Sequence, residues 1–421
     1  MPLIDVIGLG ADGLAGLRPE LAERIQCAEF LAGGERQLRF VASARAVPFV
    51  LKNNLEELLH ELQARADHQR CVVLGSGDPL FYGIGTYLAQ RLGPAQLRIE
   101  PAVSSMQLAF ARAGISWQDA ALASIHGRDL RATLLPLLGQ PTIGLFTENG
   151  DSPAAVAQFF LQRGLDDYEA VVGEDLGAAQ EHVSRFPRLT HLADRHFAPL
   201  NYLLLRRTQD SAAAALVKRH RRLSPGIPDD VFARPPDGSK MMTRQEVRSI
   251  LLGKLGSTGL GDTIWDIGAG FGTVSVEMAI QRGDAEIVAV ERDPGRAAFL
   301  RKNREQFGAY NIRVVEGIAP EVLAAEAERP CRVFIGGSGV QLPAILDCVA
   351  RQLRPGGRLL ATVVTLEHLA LLLHWLGECR WVSDVTEIHV ACSDHLGGLT
   401  GLKPHRGVFL VRADKPEASG E

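Results

Sequence analysis

The chain has 421 residues, 46% hydrophobic and 22% charged, the composition of a globular protein that buries a sizeable core rather than of a disordered one. That length exceeds what one core usually organises and sets an expectation of roughly three packing units. A formal net charge of -4 lacks the basic field that neutralises phosphates, so no nucleic acid is expected as a partner.

Six scattered cysteines, with no CxxC pair and no clustered histidines, predict reduced thiols in a cytoplasmic protein and no metal site. No apolar run is long enough to span a membrane, so no membrane partner is expected. The opening MPLIDVIGLG lacks the pattern of a secretory signal.

Short aliphatic and β-branched runs alternate with longer amphipathic segments from end to end, which predicts an α/β protein of parallel sheets covered by helices. The first strand, LIDVIGLGADGL, runs into glycines but lacks both the dinucleotide-binding spacing and a ribose-binding acid. A second strand-to-glycine junction, RCVVLGSGDPLFYGIG, carries Gly75, Gly77, Asp78 and Pro79. The two turns could therefore sit side by side at one edge of a parallel sheet. In PAVSSMQLAFARAG, Ser104 and Ser105 either cap a helix or present hydroxyls and amides to a ligand.

A soft break near residue 115 precedes the strand TIGLFT and a helix beginning SPAAVAQFF, where Ser152 suits a cap and Pro153 the first turn. The main boundary is a linker over 208–240, where basic and proline-rich sequence loses all periodicity. It divides a first domain, 1–207 with lobes of about 1–115 and 116–207, from a second over 241–413, followed by a polar tail at 414–421.

The second domain opens with a helix from about Met242 to Leu255, in which Thr243 and Glu246 have capping-box spacing. Strands follow near 263, 286, 312, 332 and 358. Two last strands, near 382–391 and 406–412, have no helix between them and suit an antiparallel edge hairpin.

The strongest single motif is DTIWDIGAGFGTVSVEMA: a strand ending at Asp266, a GxGxG turn over Gly268, Ala269, Gly270, Phe271 and Gly272, then a helix. Such a turn serves a dinucleotide or S-adenosylmethionine. The next strand, EIVAVE, ends in Glu291, where a carboxylate can accept from both ribose hydroxyls. Ala319 follows the third strand, and Gly336, Gly337 and Ser338 follow the fourth. The latter three are either a substrate loop or a tight turn. Arg244, Arg248, Lys403 and Arg406 could frame this site, and His389, His395 and His405 are candidate proton donors.

The GxGxG spacing, without the later glycine of a dinucleotide fingerprint and with two antiparallel last strands, resembles a class I, Rossmann-like, seven-stranded methyltransferase. The GSGDP loop, the serine pair, VVGEDLG and PLNYLLL resemble the tetrapyrrole methylases, a separate two-lobed fold, over about residues 1–207. That family usually opens GxGPG, whereas here Gly8 and Gly10 are followed by Ala11 and Asp12.

With GIPDDVF, MTRQEVR and GGSG added, the whole chain resembles the CobL-type precorrin-6B methyltransferase family of aerobic cobalamin synthesis, a fusion of CbiE-like and CbiT-like units. The resemblance implies S-adenosylmethionine at two sites, a precorrin substrate, methylation at carbons 5 and 15 with loss of the ring C acetate carboxyl to give precorrin-8, and a homo-oligomer. It assigns cofactor contacts to Gly10, Gly77, Asp78, Ser104 and Ser105 in the first domain and to Thr243, Gly268 to Gly272, Glu291 and Ala319 in the second. It names no catalytic side chain. The rivals are an RNA or protein methyltransferase with an accessory cofactor-binding lobe, a binding protein with one degenerate lobe, and an NAD-dependent oxidoreductase.

Overall fold

The computed structural model describes residues 3–41, 46–208, 217, 219, 221–236 and 242–417. Within the linker, residues 209–216, 218, 220 and 237–240 lie outside the described residues, as do 418–421 of the tail. The chain forms two compact units. Unit 1 comprises Met1–Arg128, Gln140–Ala157 and Tyr168–Arg207, and unit 2 comprises Asp129–Gly139, Gln158–Asp167 and Thr208–Glu421.

Unit 1 contains two sheets. Strands β1 (Ile4–Leu9), β2 (Phe30–Gly33), β3 (Val47–Val50), β4 (Cys71–Ser76) and β5 (Leu97–Glu100) form a parallel sheet of order β3-β2-β4-β1-β5. Its central strands are apolar on both faces, as a sheet covered by helices on each side requires. Ile4 and Val6 enter one core and Ile7 and Leu9 the other, while Val73 and Leu74 divide in the same way.

The second sheet, from β6 (Ala121–Ser124), β7 (Thr142–Phe146), β8 (Tyr168–Glu174), β9 (His182–Phe186) and β10 (Asn201–Arg207), has the order β6-β7-β10-β8-β9. Only β6 and β7 run parallel. The helix Ser105–Ala113 packs Met106, Ala109 and Phe110 against Val171, Tyr202 and Leu204 of this second sheet. The next helix, Ser152–Leu161, differs from the expected capping. Ser152 is its first residue, and its hydroxyl accepts from the upstream N–H groups of Glu148 and Asn149, both at 3.1 Å.

Unit 2 is built on β11 (Thr263–Ile267), β12 (Glu286–Glu291), β13 (Ile312–Glu316), β14 (Arg332–Ile335), β15 (Arg358–Val363), β16 (Val382–Ile388) and β19 (Val408–Asp414), in the order β13-β12-β11-β14-β15-β19-β16. The first five are parallel, and β19 runs antiparallel between β15 and β16. The last two strands therefore pair as expected, but only β16 is an edge. A separate hairpin of β17 (Ala391–Leu396) and β18 (Leu399–Pro404) lies between them in sequence. Period-two burial sorts the sheet's two cores: Ile264, Ile287 and Ala289 on one face, Trp265, Ile267, Val288 and Val290 on the other.

At the start of β12, Glu286 is 2% exposed and accepts from Arg163 and, at 3.1 Å, from Arg131. Arg131 also donates to Thr263 Oγ1 at 2.6 Å and to the Gly261 carbonyl at 2.7 Å. Both arginines belong to the two early segments that unit 2 includes. The two guanidinium groups supply the counter-charge that a buried carboxylate needs.

Candidate active sites

Unit 1 opens a cleft of about 1060 Å³ where the carboxyl ends of β1 and β4 face the second sheet. Close backbone approach builds its floor. A Cβ on Gly8 would lie 1.8 Å from the Gly77 carbonyl oxygen, and one on Gly77 would lie 2.8 Å from Ser104 Cα. Gly77, at φ +57°, donates to the Leu9 carbonyl at 2.9 Å, and its own carbonyl accepts from Ala102 at 3.0 Å. Only glycine fits where three strand ends meet backbone to backbone.

The cleft gathers all five residues assigned to the first domain's site: Gly10, Gly77, Asp78, Ser104 and Ser105 line it together. Asp78 Oδ1 accepts from Leu80 N–H at 2.8 Å, which fixes the turn. Ser104 performs the capping that its sequence also allowed. Its hydroxyl accepts from Gln107 N–H at 3.3 Å while Gln107 Oε1 accepts from Ser104 N–H at 2.9 Å, a complete capping box. Ser105, half-buried in the first turn, is left with the helix N-terminus facing the cleft. The turn that lacks the proline is closed by Gly13 N–H donating to the Gly10 carbonyl at 3.3 Å. The Asp12 carboxylate fills the space beside Gly10.

Sequence reasoning missed the opposite wall. Tyr82, His126, Arg128, Phe146, Asp175 and Tyr202 also line the cleft. The strings GSGDPLFYGIG and VVGEDLG held Tyr82 and Asp175, but nothing in their spacing pointed to a shared cavity. The Tyr202 hydroxyl is buried without a hydrogen-bond partner among the described residues, and burial pushes its pKa upward.

In unit 2 the glycine turn also works by close approach. Gly268, at φ +75°, would put a Cβ 2.2 Å from the Gly337 carbonyl oxygen, so the turn after β11 touches the loop after β14 backbone to backbone. Gly272, at φ +79°, packs on Leu300. Phe271 is buried against Phe299, ring edge to face, and its carbonyl accepts from Asn303 Nδ2 at 2.8 Å.

Glu291, 3% exposed, accepts from Gly270 N–H and Asp293 N–H at 2.8 and 2.9 Å. Arg296 lies 3.3 Å from the same carboxylate. These contacts leave part of the four-site acceptor capacity of its two oxygens free. Ala319 is 8% exposed beyond β13, while Gly336 and Gly337 are exposed. One strand back, Asp266 is wholly buried; its Oδ2 accepts from Ser275, and its Oδ1 has no partner among the described residues. Burial pushes its pKa up to about 7.

Several expectations fail here. Thr243 caps nothing: the helix runs Gln245–Leu255, its cap residue is Arg244, and no side-chain bond closes it. Arg248 binds the Thr243 carbonyl, Glu277 at 2.8 Å and Asp229 at 2.6 Å. Fully buried, Arg248 is a structural cation and does not frame a substrate. Lys403 and Arg406 are exposed. The three histidines do not converge on one group: His389 is exposed and pairs with Glu387 at 2.9 Å, His395 is exposed on β17, and His405 donates its backbone N–H to the Val390 carbonyl.

Residues 4–190 match the family model of tetrapyrrole (corrin/porphyrin) methylases, and residues 232–415 match the precorrin methyltransferase domain. A Sinorhizobium protein named precorrin-6Y C(5,15)-methyltransferase [decarboxylating] is 34% identical over 408 residues, covering 96% of this chain and 94% of that one. Its Mycobacterium tuberculosis namesake is 29% identical, covering 96% and 97%. A Salmonella typhi cobalt-precorrin-6B C(15)-methyltransferase (decarboxylating) is 36% identical over 193 residues, 45% of this chain and 96% of its own. This chain therefore belongs to the family of decarboxylating precorrin-6Y C(5,15)-methyltransferases, S-adenosylmethionine-dependent enzymes.

Proposed function

We propose that the chain methylates precorrin-6B at carbons 5 and 15 and removes the carboxyl group of the ring C acetate, giving precorrin-8, with one S-adenosylmethionine site in each unit. The observation that carries this is end-to-end similarity to a protein named for both methylations, 96% of the chain being covered. Supporting it are two separately built glycine floors at strand ends, one in each unit. We assign carbon 5 to residues 1–207, carbon 15 and the decarboxylation to 241–413, and the division between them to 208–240. A relative half as long and named for C(15) and decarboxylation alone fits this division.

S-adenosylmethionine, when bound, supplies an electrophilic methyl group. The residues present suit it. In unit 2, the glycine turn Gly268–Gly272 would lie against the cofactor, and Glu291 would accept from its ribose hydroxyls. Thr243 and Ala319 would contribute backbone. In unit 1, the N-terminus of the helix Ser105–Ala113 favours a carboxylate, with Gly10, Gly77, Asp78, Ser104 and Ser105 as contacts.

Alignment of a macrocycle carbon with that methyl is the chief task, so no side-chain nucleophile is needed. The exposed Gly336 and Gly337, with the half-buried Ser338 beside them, would let a flat ring approach the cofactor site of unit 2. Decarboxylation adds a requirement to desolvate the acetate, after which the conjugated ring accepts the electron pair and the new methyl carbon takes a proton.

The test is incubation of the pure protein with precorrin-6B and labelled S-adenosylmethionine, read by product mass. Two methyl gains with one carbon dioxide lost support the proposal. A Gly270→Arg variant keeping one methyl gain and losing the decarboxylation supports the division of labour. An unchanged substrate mass despite cofactor binding overturns it.

A further inference from the structure

Among the described residues only three non-glycine residues have positive φ, and two of them, Tyr82 at +57° and Asp175 at +47°, line the unit 1 cleft. A tyrosine in the left-handed region costs on the order of 1–3 kcal/mol and persists only where its surroundings hold it there. What holds Tyr82 is visible: its hydroxyl donates to the Leu122 carbonyl of β6 at 3.0 Å, and its ring stands 5.0 Å from Phe81 and 5.9 Å from Phe146. Despite these contacts the residue stays 43% exposed. The strained backbone thus presents an aromatic face to the cleft instead of burying it.

Over that face lies the guanidinium of Arg128, 5.0 Å from the ring centroid. No carboxylate of the described residues lies within ion-pair distance of it. An arginine held over an aromatic ring without a carboxylate partner keeps its donor fork available, and that fork matches a carboxylate in shape and charge. The stacking also fixes the side chain before any ligand arrives, which lowers the ordering cost of binding.

We infer that Tyr82 and Arg128 form a substrate subsite in which Arg128 binds a peripheral carboxylate of the tetrapyrrole and the Tyr82 ring borders the macrocycle, orienting it for the carbon 5 methylation. This rests on the proposed reaction. The two residues position the substrate and take no part in bond making. The pairing explains why an exposed aromatic and an unpaired cation meet at one strained turn beside the cofactor contacts Gly77 and Asp78.

The experiment measures KM and kcat for the carbon 5 methyl gain in the full-length protein, wild type, Arg128→Gln and Tyr82→Gly. Calorimetric titration of each with S-adenosylhomocysteine accompanies it. Glycine at 82 removes the ring while accepting the positive φ, so misfolding is not the expected outcome. Losing a charge-assisted bond predicts a KM for the macrocycle raised about ten- to hundred-fold in Arg128→Gln. The corresponding kcat should stay within about threefold, with S-adenosylhomocysteine affinity and the carbon 15 methyl gain unaltered. An unchanged KM overturns the subsite, as does a matching loss of S-adenosylhomocysteine affinity, which would move Arg128 to the cofactor. Absence of any methyl gain in the wild type instead overturns the underlying reaction, so the two failures are distinct.

Discussion

Both units put glycine turns at the carboxyl ends of parallel strands, yet they use the missing side chains differently. In unit 1 the turns after β1 and β4 lock against each other and against Ser104, and the space beyond opens toward a second sheet that supplies side chains. In unit 2 the turn after β11 locks against the loop after β14, and one sheet carries the whole site, with Glu291 one strand away. The first arrangement offers a ligand two walls; the second offers backbone and a single acid. The same steric device thus serves two unrelated architectures.

The sharpest way to break the comparison is to fill each gap in turn. Gly8→Ala drives a methyl group into the Gly77 carbonyl, and Gly268→Ala drives one into Gly337. Each should lower one methyl gain at least about a hundred-fold, through misplacement of reacting groups, and spare the other. Mass analysis of the product separates them, and loss of both methyl gains in either variant would mean that the units do not work independently.

Unit 2 alone relies on a buried carboxylate at the far end of its sheet. Glu286→Ala leaves Arg163, itself 2% exposed, without its counter-charge and should cost about 3–5 kcal/mol in urea unfolding. A loss below about 1 kcal/mol would show that water reaches the site. Asp266 gives unit 2 a pH dependence as well. Its raised pKa means that the native state keeps a proton the unfolded chain releases near 3.8, so stability falls as pH rises from there to about 7. The upper figure for that fall is about 4 kcal/mol, and Asp266→Asn should flatten the slope.

Two smaller effects sharpen the contrast at the sites themselves. If each unit holds the cofactor as proposed, Glu291→Gln should weaken S-adenosylhomocysteine binding in unit 2 by about 2 kcal/mol and leave binding in unit 1 as it was in a calorimetric titration. Ser104→Ala removes a helix cap in unit 1 and should cost about 1 kcal/mol of stability. A larger loss, with cofactor affinity falling in parallel, would give its hydroxyl a second role.

Local chemistry was legible in the sequence. The GxGxG turn and the strand ending at Glu291 follow short-range rules of turn and strand, whereas the five unit 1 residues came from a resemblance and lie together in one cleft. What was not legible depends on distant partners. Arg248 looked like a substrate cation because Glu277, which neutralises it, is 29 positions away and no pattern links the two. The wall carrying Arg128, Phe146 and Asp175 needs the order β6-β7-β10-β8-β9, in which strands remote in sequence become neighbours.

Unit 2 takes residues 129–139 and 158–167 from before the linker, which has a consequence for how the protein emerges from the ribosome. Arg131 and Arg163 are synthesised more than a hundred residues ahead of Glu286, the acid that both bind. Until that acid emerges the two arginines lack this carboxylate partner, although Arg163 already has the Phe159 carbonyl and ring within reach. A gene cut at the linker would yield a second half in which Glu286 loses Arg131 and Arg163 but keeps Arg313 at 3.6 Å, so the cut separates residues that the fold holds together.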